Sequence, residues 1–404
     1  MSQFLMKPTL HCLDSVKQFA EEFAIGEGDL LFTSRHFYDD FFAALDLKCD
    51  FIYPKDYGKG EPTDEMIEAM ARDITKDYKR IIGVGGGSVL DVAKFFVLDQ
   101  VTPVLDLYDG KRQPVKVRQL VLAPTTCGTG SEVTSVAALA LVSRSTKAGY
   151  GNPAMFPDDA VLIPELLESL PMEPFSTSAI DALVHAVESA LSPKATPIGK
   201  LLSYKAIDLI LNGFKTIVAD GPESRKPLLE DFLFASTYAG VAFSNAGCAA
   251  VHALSYPLGG TFHVPHGESN YAMFTGVMRA YMKIRQDGEI AVLNTRMADI
   301  LGCDVADVYD KLEDLLNHLV QKKPLHEYGM TEAQIAEFAD AVHTGQQRLL
   351  VNNFVPLSRD QIEAHLPRIV LITNANNPRT ISSGGCFIYA RMIRITPNTD
   401  KCAG

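Results

Sequence analysis

The 404-residue chain is 47% hydrophobic and 21% charged, which is ordinary for a globular protein and long enough for two domains, each with its own core. Its net charge of -12 argues against a nucleic-acid or anionic-membrane partner, because polyanions bind basic surfaces. The sequence has neither a membrane-spanning apolar stretch nor the apolar core of a signal peptide. We therefore expect a cytoplasmic protein that acts on a small molecule, with its seven scattered cysteines reduced.

Short apolar runs alternate with helix-like segments in the first part of the chain. The predicted strands are 29–33, 80–84, 119–123 and 160–163. Between these strands, residues 63–74 and 88–98 have the apolar spacing of helices. This alternation is typical of a parallel, doubly wound sheet, so we predict an α/β dinucleotide-binding domain over residues 1–170.

A glycine-rich loop follows the second predicted strand and opens a helix. It reads GVGGGSVLDVAK from Gly83 to Lys94. Glycines without Cβ atoms allow close backbone approach, and the N–H groups at a helix start can bind a diphosphate. The alternative is a tight glycine turn, because Ser88 occupies the place of the last glycine in the common GxGxxG fingerprint.

A second polar loop, PTTCGTGSEVT, follows the third predicted strand. Before Glu132 it carries four hydroxyl side chains, those of Thr125, Thr126, Thr129 and Ser131. These side chains could bind phosphate, ribose or the nicotinamide amide, or they could satisfy their own backbone. Two such loops after two strands favour cofactor binding.

Strand-like runs disappear after about residue 171. Amphipathic segments follow at 199–218, 227–243, 305–320 and 331–350. We predict an all-α metal-binding domain over 171–373. The stretch 374–404 is rich in Asn, Thr, Ser and Gly, and we treat it as a C-terminal appendage whose order the sequence does not determine.

The helical part contains a carboxylate and three histidines at metal-ligand spacing. Asp181 and His185 are four residues apart, so a helix places them on one face. An ion pair within the helix is the alternative. His252 lies on a second helix predicted to break near Pro257, and a glycine-containing loop returns the chain to His266, fourteen residues after His252.

Three imidazoles and one carboxylate suit Fe(II) or Zn(II) better than Ca(II) or Mg(II), which prefer oxygen ligands. A metal of this kind can hold a substrate oxygen and ease the loss of the carbinol hydrogen as hydride. The four ligands follow the glycine-rich loops in sequence and belong to the other predicted domain, which implies a cleft between domains.

The motifs GGGSVLDVAK, PTTCGTGSEVT, DALVHAVE and VHALSYPLGGTFHVPHG occur in this order, and with them the chain resembles the iron-dependent (group III) alcohol dehydrogenases from residue 1 to about 370. The resemblance implies a dehydroquinate synthase-like fold, with NAD(H) on the first domain and Fe(II), or Zn(II), in the second. The stretches EYGM and GQQRLLVNN resemble the branch that interconverts 4-hydroxybutyrate and succinate semialdehyde. The family commonly forms homodimers or larger homo-oligomers.

The resemblance also implies residue roles. The metal ligands are Asp181, His185, His252 and His266, and the cofactor residues are Gly86, Gly87, Ser88, Asp91, Thr125, Thr126, Thr129 and Ser131. Lys147 aligns more loosely with a lysine near the cofactor.

The chain departs from the family at two positions. Many members have a proton-relay histidine where this chain has Tyr256, so we predict that Tyr256 or His263 takes the catalytic proton, with an aromatic packing role for Tyr256 as the alternative. Many NAD-preferring members have an aspartate in place of Ser34. With Arg35 and His36 next to it, the site could tolerate NADP, although the resemblance favours NAD.

A hydroxy acid or its aldehyde needs a cationic or hydrogen-bonding partner for the carboxylate. The candidates are Arg348, Asn352, Asn353 and His263, which the sequence does not rank. Two other functions stay open. One is the same chemistry on a small alcohol, such as 1,3-propanediol or the pair 1,2-propanediol and lactaldehyde. The other is a non-catalytic binding function with a purely structural metal.

Overall fold

The computed structural model describes residues 3–144 and 146–364. Residues 365–404 lie outside this range, and with them the predicted appendage 374–404 and the end of the predicted helical domain. The predicted domain boundary at 170/171 stays a prediction. Every strand in the described residues ends before it.

Eight strands form two sheets in the described residues. They are β1 (Thr9–Cys12), β2 (Asp29–Phe32), β3 (Asp50–Ile52), β4 (Arg80–Gly85), β5 (Gln119–Pro124), β6 (Val136–Leu141), β7 (Thr146–Gly151) and β8 (Asp159–Leu162). Six of them make a parallel sheet in the order β1-β8-β5-β4-β2-β3. The four predicted strands are confirmed as β2, β4, β5 and β8.

The strands that we did not predict are short or lie outside the main sheet. β1 and β3 are edge strands of four and three residues, and their partly exposed residues form no continuous apolar run. β6 and β7 form a separate antiparallel hairpin. The hairpin departs from strict strand–helix alternation, and it carries Lys147 on β7.

Fourteen α-helices occur in the described residues. They are α1 (Val16–Glu22), α2 (Arg35–Phe37), α3 (Asp64–Asp73), α4 (Gly87–Phe95), α5 (Val104–Tyr108), α6 (Met172–Leu191), α7 (Pro197–Asp220), α8 (Leu229–Ala246), α9 (Ala250–Phe262), α10 (His266–Ile284), α11 (Glu289–Leu301), α12 (Val308–Asn317), α13 (Glu332–Gly345) and α14 (Gln347–Leu350). The helical second part is confirmed. None of the helices among these residues is long and apolar enough to cross a membrane.

The predicted break of α9 near Pro257 is wrong. The helix runs through Pro257 and ends at Phe262, with His263 as its left-handed C-cap. Proline removes one helical hydrogen bond, but α9 packs against α10, α13 and α14. These tertiary contacts hold the helix together where the local sequence predicts a stop.

Buried side chains form two large clusters, and only one is confined to the first part of the chain. That cluster lies on one face of the parallel sheet and contains Leu30, Ile81 and Leu122. The other joins the opposite face of the sheet to the helices of the second part, for example Val84 to Ile180. The expectation that each domain has its own core is therefore wrong for the second part, which shares its core with the sheet.

The two predicted cofactor loops leave the sheet at the same edge. β4 and β5 are hydrogen-bonded neighbours, and their last residues, Gly85 and Pro124, are register partners. Ligands of parallel α/β sheets bind beyond the carboxyl ends of the strands. The sheet thus positions both loops at one end, facing the helical part.

Candidate active site

A cleft of about 780 Å³ lies between the carboxyl edge of the parallel sheet, the β6–β7 hairpin and the helices of the second part. Most of the predicted site residues line it: Ser34, Gly86, Gly87, Ser88, Asp91, Thr126, Thr129, Ser131, Lys147, Asp181, His185, His252, Tyr256, His266, Arg348 and Asn352. The structure thus brings the cofactor loops and the metal-ligand set to one cavity.

The two cofactor loops are in contact, which requires glycine at Gly87. A Cβ atom there would lie 2.7 Å from Thr129 Cγ2. Gly86 is the N-cap of α4 and has no side chain to satisfy the first N–H groups of that helix. The helix start therefore offers a binding place for a diphosphate at the wall of the cleft.

A buried lysine ties the loops together. Lys94 is fully buried and donates to Ser131 Oγ at 2.6 Å and to Val136 O at 2.6 Å. Asp91 accepts from Ser131 Oγ at 2.6 Å and from Ala138 N at 2.9 Å. Asp91 and Ser131 are thus engaged with protein groups, which favours a structural role in shaping the loop over direct cofactor contact.

The remaining hydroxyl groups differ in position. Thr126 and Thr129 line the cleft, and so does Thr134, which we did not predict. Thr125 is 2% exposed and is not among the lining residues; its N–H donates to Gly85 O. The predicted cofactor role of Thr125 is therefore not supported by its position.

Ser34 lies at the cleft as the N-cap of α2, where its hydroxyl accepts from Phe37 N at 3.3 Å. The neighbouring Arg35 is already engaged: its Nη2 lies 2.6 Å from Asp56 Oδ2, and its guanidinium stacks on Tyr53. Arg35 is thus less available to a 2′-phosphate than the sequence suggested.

The metal-ligand set forms where three helices meet. Asp181 and His185 lie on α6, His252 on α9 and His266 at the start of α10. The ligand atoms of Asp181, His252 and His266 all lie within 4.8 Å of one another. His185 Nδ1 is 4.0 Å from Asp181 Oδ2, and its ring stacks on His252 at 4.5 Å. Two further imidazoles from other helices converge on Asp181, which favours a metal site over the alternative of an i, i+4 ion pair.

Buried acceptors orient two of the imidazoles. Glu188 Oε2 lies 2.7 Å from His252 Nδ1, and Glu188 also accepts from Ala249 N and Val251 N. His185 Nδ1 lies 3.3 Å from Gly128 O. Both rings therefore hold their Nδ1 protons in these contacts and leave the Nε2 lone pairs for a metal. Glu188 lies one helical turn from His185 and could have been found by that i, i+3 spacing.

Asn270 was missed by sequence reasoning although it lies one turn after His266 on α10. Its Nδ2 donates to Asp181 Oδ1 at 2.6 Å and lies 3.2 Å from His252 Nε2 and 3.3 Å from His266 Nε2. Its Oδ1 is buried and has no hydrogen-bond partner in the described residues. Asn270 thus contacts three ligand residues at once and helps to set their spacing.

The charges of the cluster are strongly coupled. Burial alone would raise the pKa of Asp181, but His185, His266 and His252 hold it well below its usual value. Burial lowers the pKa of His266 to about 3, although Asp181 opposes this. Asp181 and His266 thus have the protonation states that metal binding requires. Although burial opposes it, neighbouring acidic groups raise the pKa of His185 and of His252, so these two imidazoles would release a proton as a metal binds.

Cys248 is a further side chain at the cluster that the sequence analysis did not single out. It lines the cleft, and its Sγ lies within 4.8 Å of ligand atoms of both His185 and His252. Burial would raise the pKa of the thiol, but His252 and His185 lower it to about 7. All five cysteines in the described residues are free thiols.

The two candidates for the proton relay occupy different places. Tyr256 lines the cleft, and its ring centroid lies 6.1 Å from that of His266. Lys147 Nζ lies 6.0 Å from the centroid of the Tyr256 ring. Burial raises the pKa of Tyr256, so its hydroxyl is protonated near neutrality. His263 is exposed at the end of α9 and does not line the cleft, so its predicted catalytic and substrate roles are not supported. Lys147 Nζ bonds Glu61 Oε1 at 2.5 Å.

The structure also ranks the carboxylate-binding candidates. Arg348 lines the cleft and approaches Gly149 of β7. A Cβ atom added at Gly149 would lie 3.5 Å from Arg348 Nη2. Asn352 donates to Cys248 O and Arg348 O, so its amide holds the backbone around the site. Asn353 is buried and does not line the cleft, so a direct substrate contact for Asn353 is not supported.

The donor set fits a transition metal: its nitrogens and carboxylate converge, all of its members except the half-buried His266 are buried, and outer acceptors orient His185 and His252. Two touching loops with glycines at the helix start fit a dinucleotide across the same cleft. The class that this fold and site define is a metal-dependent dehydrogenase.

Comparisons with known proteins agree. The model of the iron-containing alcohol dehydrogenases matches residues 10–164, and that of the C-terminal part of the Fe-containing alcohol dehydrogenase family matches residues 175–370. The chain belongs to the iron-containing alcohol dehydrogenase family, and it is an oxidoreductase.

Several relatives are similar along most of their length. The chain is 46% identical to 4-hydroxybutyrate dehydrogenase of Clostridium kluyveri over 363 residues, 90% of this chain and 98% of the relative. It is 37% identical to long-chain-alcohol dehydrogenase 1 of Geobacillus thermodenitrificans over 320 residues, 75% of this chain and 77% of the relative.

The structure of sulfoacetaldehyde reductase from Bifidobacterium kashiwanohense in complex with NAD+ matches 92% of this chain and 99% of its own, with a TM-score of 0.79 at 24% identity. That likeness shows the fold, and the expected dehydroquinate synthase-like architecture is confirmed.

Proposed function

We propose that this protein interconverts 4-hydroxybutyrate and succinate semialdehyde with NAD(H) and Fe(II). The observation that carries the proposal is one cleft that joins both cofactor loops to the cluster of Asp181, His252 and His266. The 46% identity to 4-hydroxybutyrate dehydrogenase over nearly the whole relative supports the substrate. A cytoplasmic location and a homo-oligomeric assembly are further proposals from the sequence.

The residues divide the work by position. Asp181, His185, His252 and His266 would hold the metal, and the loops at Gly87 and Thr126 would hold the dinucleotide. When bound, the ion polarises the substrate oxygen and the nicotinamide exchanges the hydride with the carbinol carbon.

Tyr256 would hold the proton that the alcohol oxygen loses or the aldehyde oxygen gains. Its side chain lines the cleft, and its raised pKa keeps the hydroxyl protonated near neutrality. In the reducing direction it would therefore donate that proton to the substrate oxygen.

Arg348 would bind the substrate carboxylate. Within the described residues its guanidinium has no carboxylate partner, whereas Lys147 is paired with Glu61. A charge-assisted hydrogen bond from an arginine to a carboxylate is strong and can be bidentate. This assignment explains how the site would prefer a hydroxy acid to an uncharged alcohol.

The function is tested by anaerobic purification with Fe(II) and by NADH oxidation with succinate semialdehyde, propanal and glycolaldehyde. The proposal expects oxidation, fastest with succinate semialdehyde. Equal rates would favour the alternative of a small uncharged alcohol or diol, such as 1,3-propanediol or 1,2-propanediol. Absence of oxidation with every aldehyde would contradict the proposed substrates and cofactor.

Arg348→Gln tests the carboxylate contact. We expect kcat/KM for succinate semialdehyde to fall about 10- to 100-fold, since a hydrogen bond to a charged group contributes about 1.5–3 kcal/mol. The value for propanal should change little. Lys194→Gln, which removes another cation at the cleft, is the matched control and should affect both aldehydes slightly. An equal loss for both aldehydes in Arg348→Gln would contradict the assignment.

A further inference from the structure

Cys248 faces two of the ligand histidines, and together they form a second group of metal-ligating atoms. Sγ of Cys248 and one nitrogen each of His185 and His252 lie within 4.8 Å of one another. This group shares His185 and His252 with the four ligands of the proposed function, and it has Cys248 where that set has Asp181 and His266. A thiolate and two imidazoles are a softer donor set than two imidazoles and a carboxylate.

The backbone on both sides of the thiol is held in place. Gly247 N donates to Phe243 O at 2.7 Å, at the end of α8. Asn352 Nδ2 donates to the carbonyl of Cys248 at 2.8 Å, and Ala249 N donates to Glu188 Oε2 at 2.8 Å. Cys248 thus lies in the connection between α8 and α9, where hydrogen bonds hold the backbone in place.

The distances allow a tetrahedral ion after small shifts. With Zn–N about 2.0 Å and Zn–S about 2.3 Å, tetrahedral donors lie roughly 3.3–3.8 Å apart. Donors within 4.8 Å need inward movements of only about 1 Å, the size of a side-chain adjustment. The contacts of Glu188 and Gly128 O with the Nδ1 atoms of His252 and His185 leave both Nε2 atoms to face an ion. An ion on His252 Nε2 would displace Asn270 Nδ2, which lies 3.2 Å from that atom.

We propose that His185, Cys248 and His252 form a binding position for a thiophilic divalent cation, Zn(II) foremost. The thiol loses its proton to solvent as the sulfur–metal bond forms. Because His185 and His252 belong to both sets, the position excludes an ion held by Asp181, His185, His252 and His266. Zinc bound to the thiol at this position would thereby compete with the ion of the proposed function. The inference rests on the proposed function in one respect only, namely that a second ion uses the competing position.

Co(II) is a spectroscopic probe of this position, because it replaces zinc and gives a near-ultraviolet charge-transfer band when a thiolate binds it. The metal-free full chain is titrated anaerobically with Co(II). We expect the band in the unmodified protein and its loss in Cys248→Ser. Cys127→Ser is the matched control, because Cys127 is buried with its Sγ 3.6 Å from Ser178 Oγ and belongs to neither ligand group.

The result needs no turnover, so failure of the substrate assignment leaves it unaffected. His266→Ala should retain the band, because His266 is not a member of the thiol group, and His185→Ala should weaken it. No band in the unmodified protein, or an undiminished band in Cys248→Ser, would overturn the proposal. If Cys248→Ser does not fold, as judged by circular dichroism, the His185→Ala and His266→Ala pair decides.

Affinity gives a second readout. Zn(II) dissociation constants from competition with a chromophoric chelator should rise about tenfold or more in Cys248→Ser, the scale on which changes around a metal site act. The Fe(II) constant, measured anaerobically in the same way, should change less than about threefold, since Fe(II) gains less from a thiolate. An equal change for both ions would contradict a separate soft position.

Discussion

Glu188 shows how one buried residue prepares a metal site. Its side chain is almost inaccessible, yet it accepts hydrogen bonds from His252 Nδ1 and from two backbone N–H groups. A buried carboxylate is tolerated only when its lone pairs are satisfied in this way. Glu188 thus fixes both the orientation of His252 and the start of α9.

Glu188→Gln should weaken metal binding about 10- to 100-fold, because an amide cannot accept all three hydrogen bonds and no longer stabilises the His252 Nδ1 proton. Competition with a chromophoric chelator measures the change. Glu173→Gln, an exposed position on the same helix, should bind metal like the unmodified protein. Unchanged affinity in Glu188→Gln would mean that His252 is oriented by its packing alone.

Tyr256 and His263 are separated by position rather than by chemistry. Tyr256→Phe should lower kcat for succinate semialdehyde reduction about 100-fold near neutrality and alter the pH profile, because the hydroxyl that donates the proton is lost. His263→Ala should leave kcat and the profile close to those of the unmodified protein. Steady-state kinetics across pH measures both variants. The opposite pattern would return the relay to His263.

At the scale of elements, a charged cluster joins α10 to α12. Glu313 accepts from Thr275 at 2.5 Å and from Arg279 at 2.8 Å, and Lys322 lies 3.3 Å away. Burial alone would raise the pKa of Glu313, but Lys322, Thr275 and Arg279 hold it below its ordinary value of 4.5. The stabilisation is therefore fully present above pH 4.5 and is lost as the pH falls through the lower folded-state pKa.

Glu313→Gln should lower the free energy of unfolding by about 1–3 kcal/mol at neutral pH, since it breaks hydrogen bonds to charged partners. The difference from the unmodified protein should shrink below pH 4.5, where that protein begins to lose the same contribution. Urea unfolding at a series of pH values measures it. Glu337→Gln, at an exposed position, is the control. A difference that stays constant with pH would assign the effect to packing.

The elements also show where local sequence patterns suffice. Thr63 caps α3 by accepting from Met66 N at 3.1 Å, and Gly86 precedes α4, so both predicted helices begin within a residue or so of the pattern. The pattern failed at Pro257, where neighbouring helices hold α9 together. Short edge strands such as β3 also escaped prediction, because three residues carry too little periodicity.

At the scale of the whole molecule, the second cofactor loop packs directly on the helical part. Gly130 has φ +58°, and a Cβ atom there would overlap Gly240 Cα on α8 and lie 3.1 Å from Gly240 N. The loop and α8 thus approach backbone to backbone. The position of the cofactor loop relative to the metal helices depends on this contact.

Gly130→Ala should lower the free energy of unfolding by about 2–4 kcal/mol, combining the cost of a left-handed alanine with that of overpacking. Gly110→Ala is the matched control: it has φ +66° with no atom within 4 Å of the added Cβ, so it should lose only about 1 kcal/mol. Urea unfolding compares the two variants. Equal losses would mean that the loop can move away from α8 without cost.

The sequence by itself predicted the parallel sheet, the helical second part and the four residues of the candidate metal site, because each follows from short-range periodicity or from motifs of fixed spacing. Only the tertiary structure decided which side chains face the cleft. It brought Cys248 and Asn270 to the ligands, moved Thr125, His263 and Asn353 away from the cleft, and joined the sheet and helices in one core. Those outcomes depend on how helices distant in sequence cross, and no local pattern records that geometry.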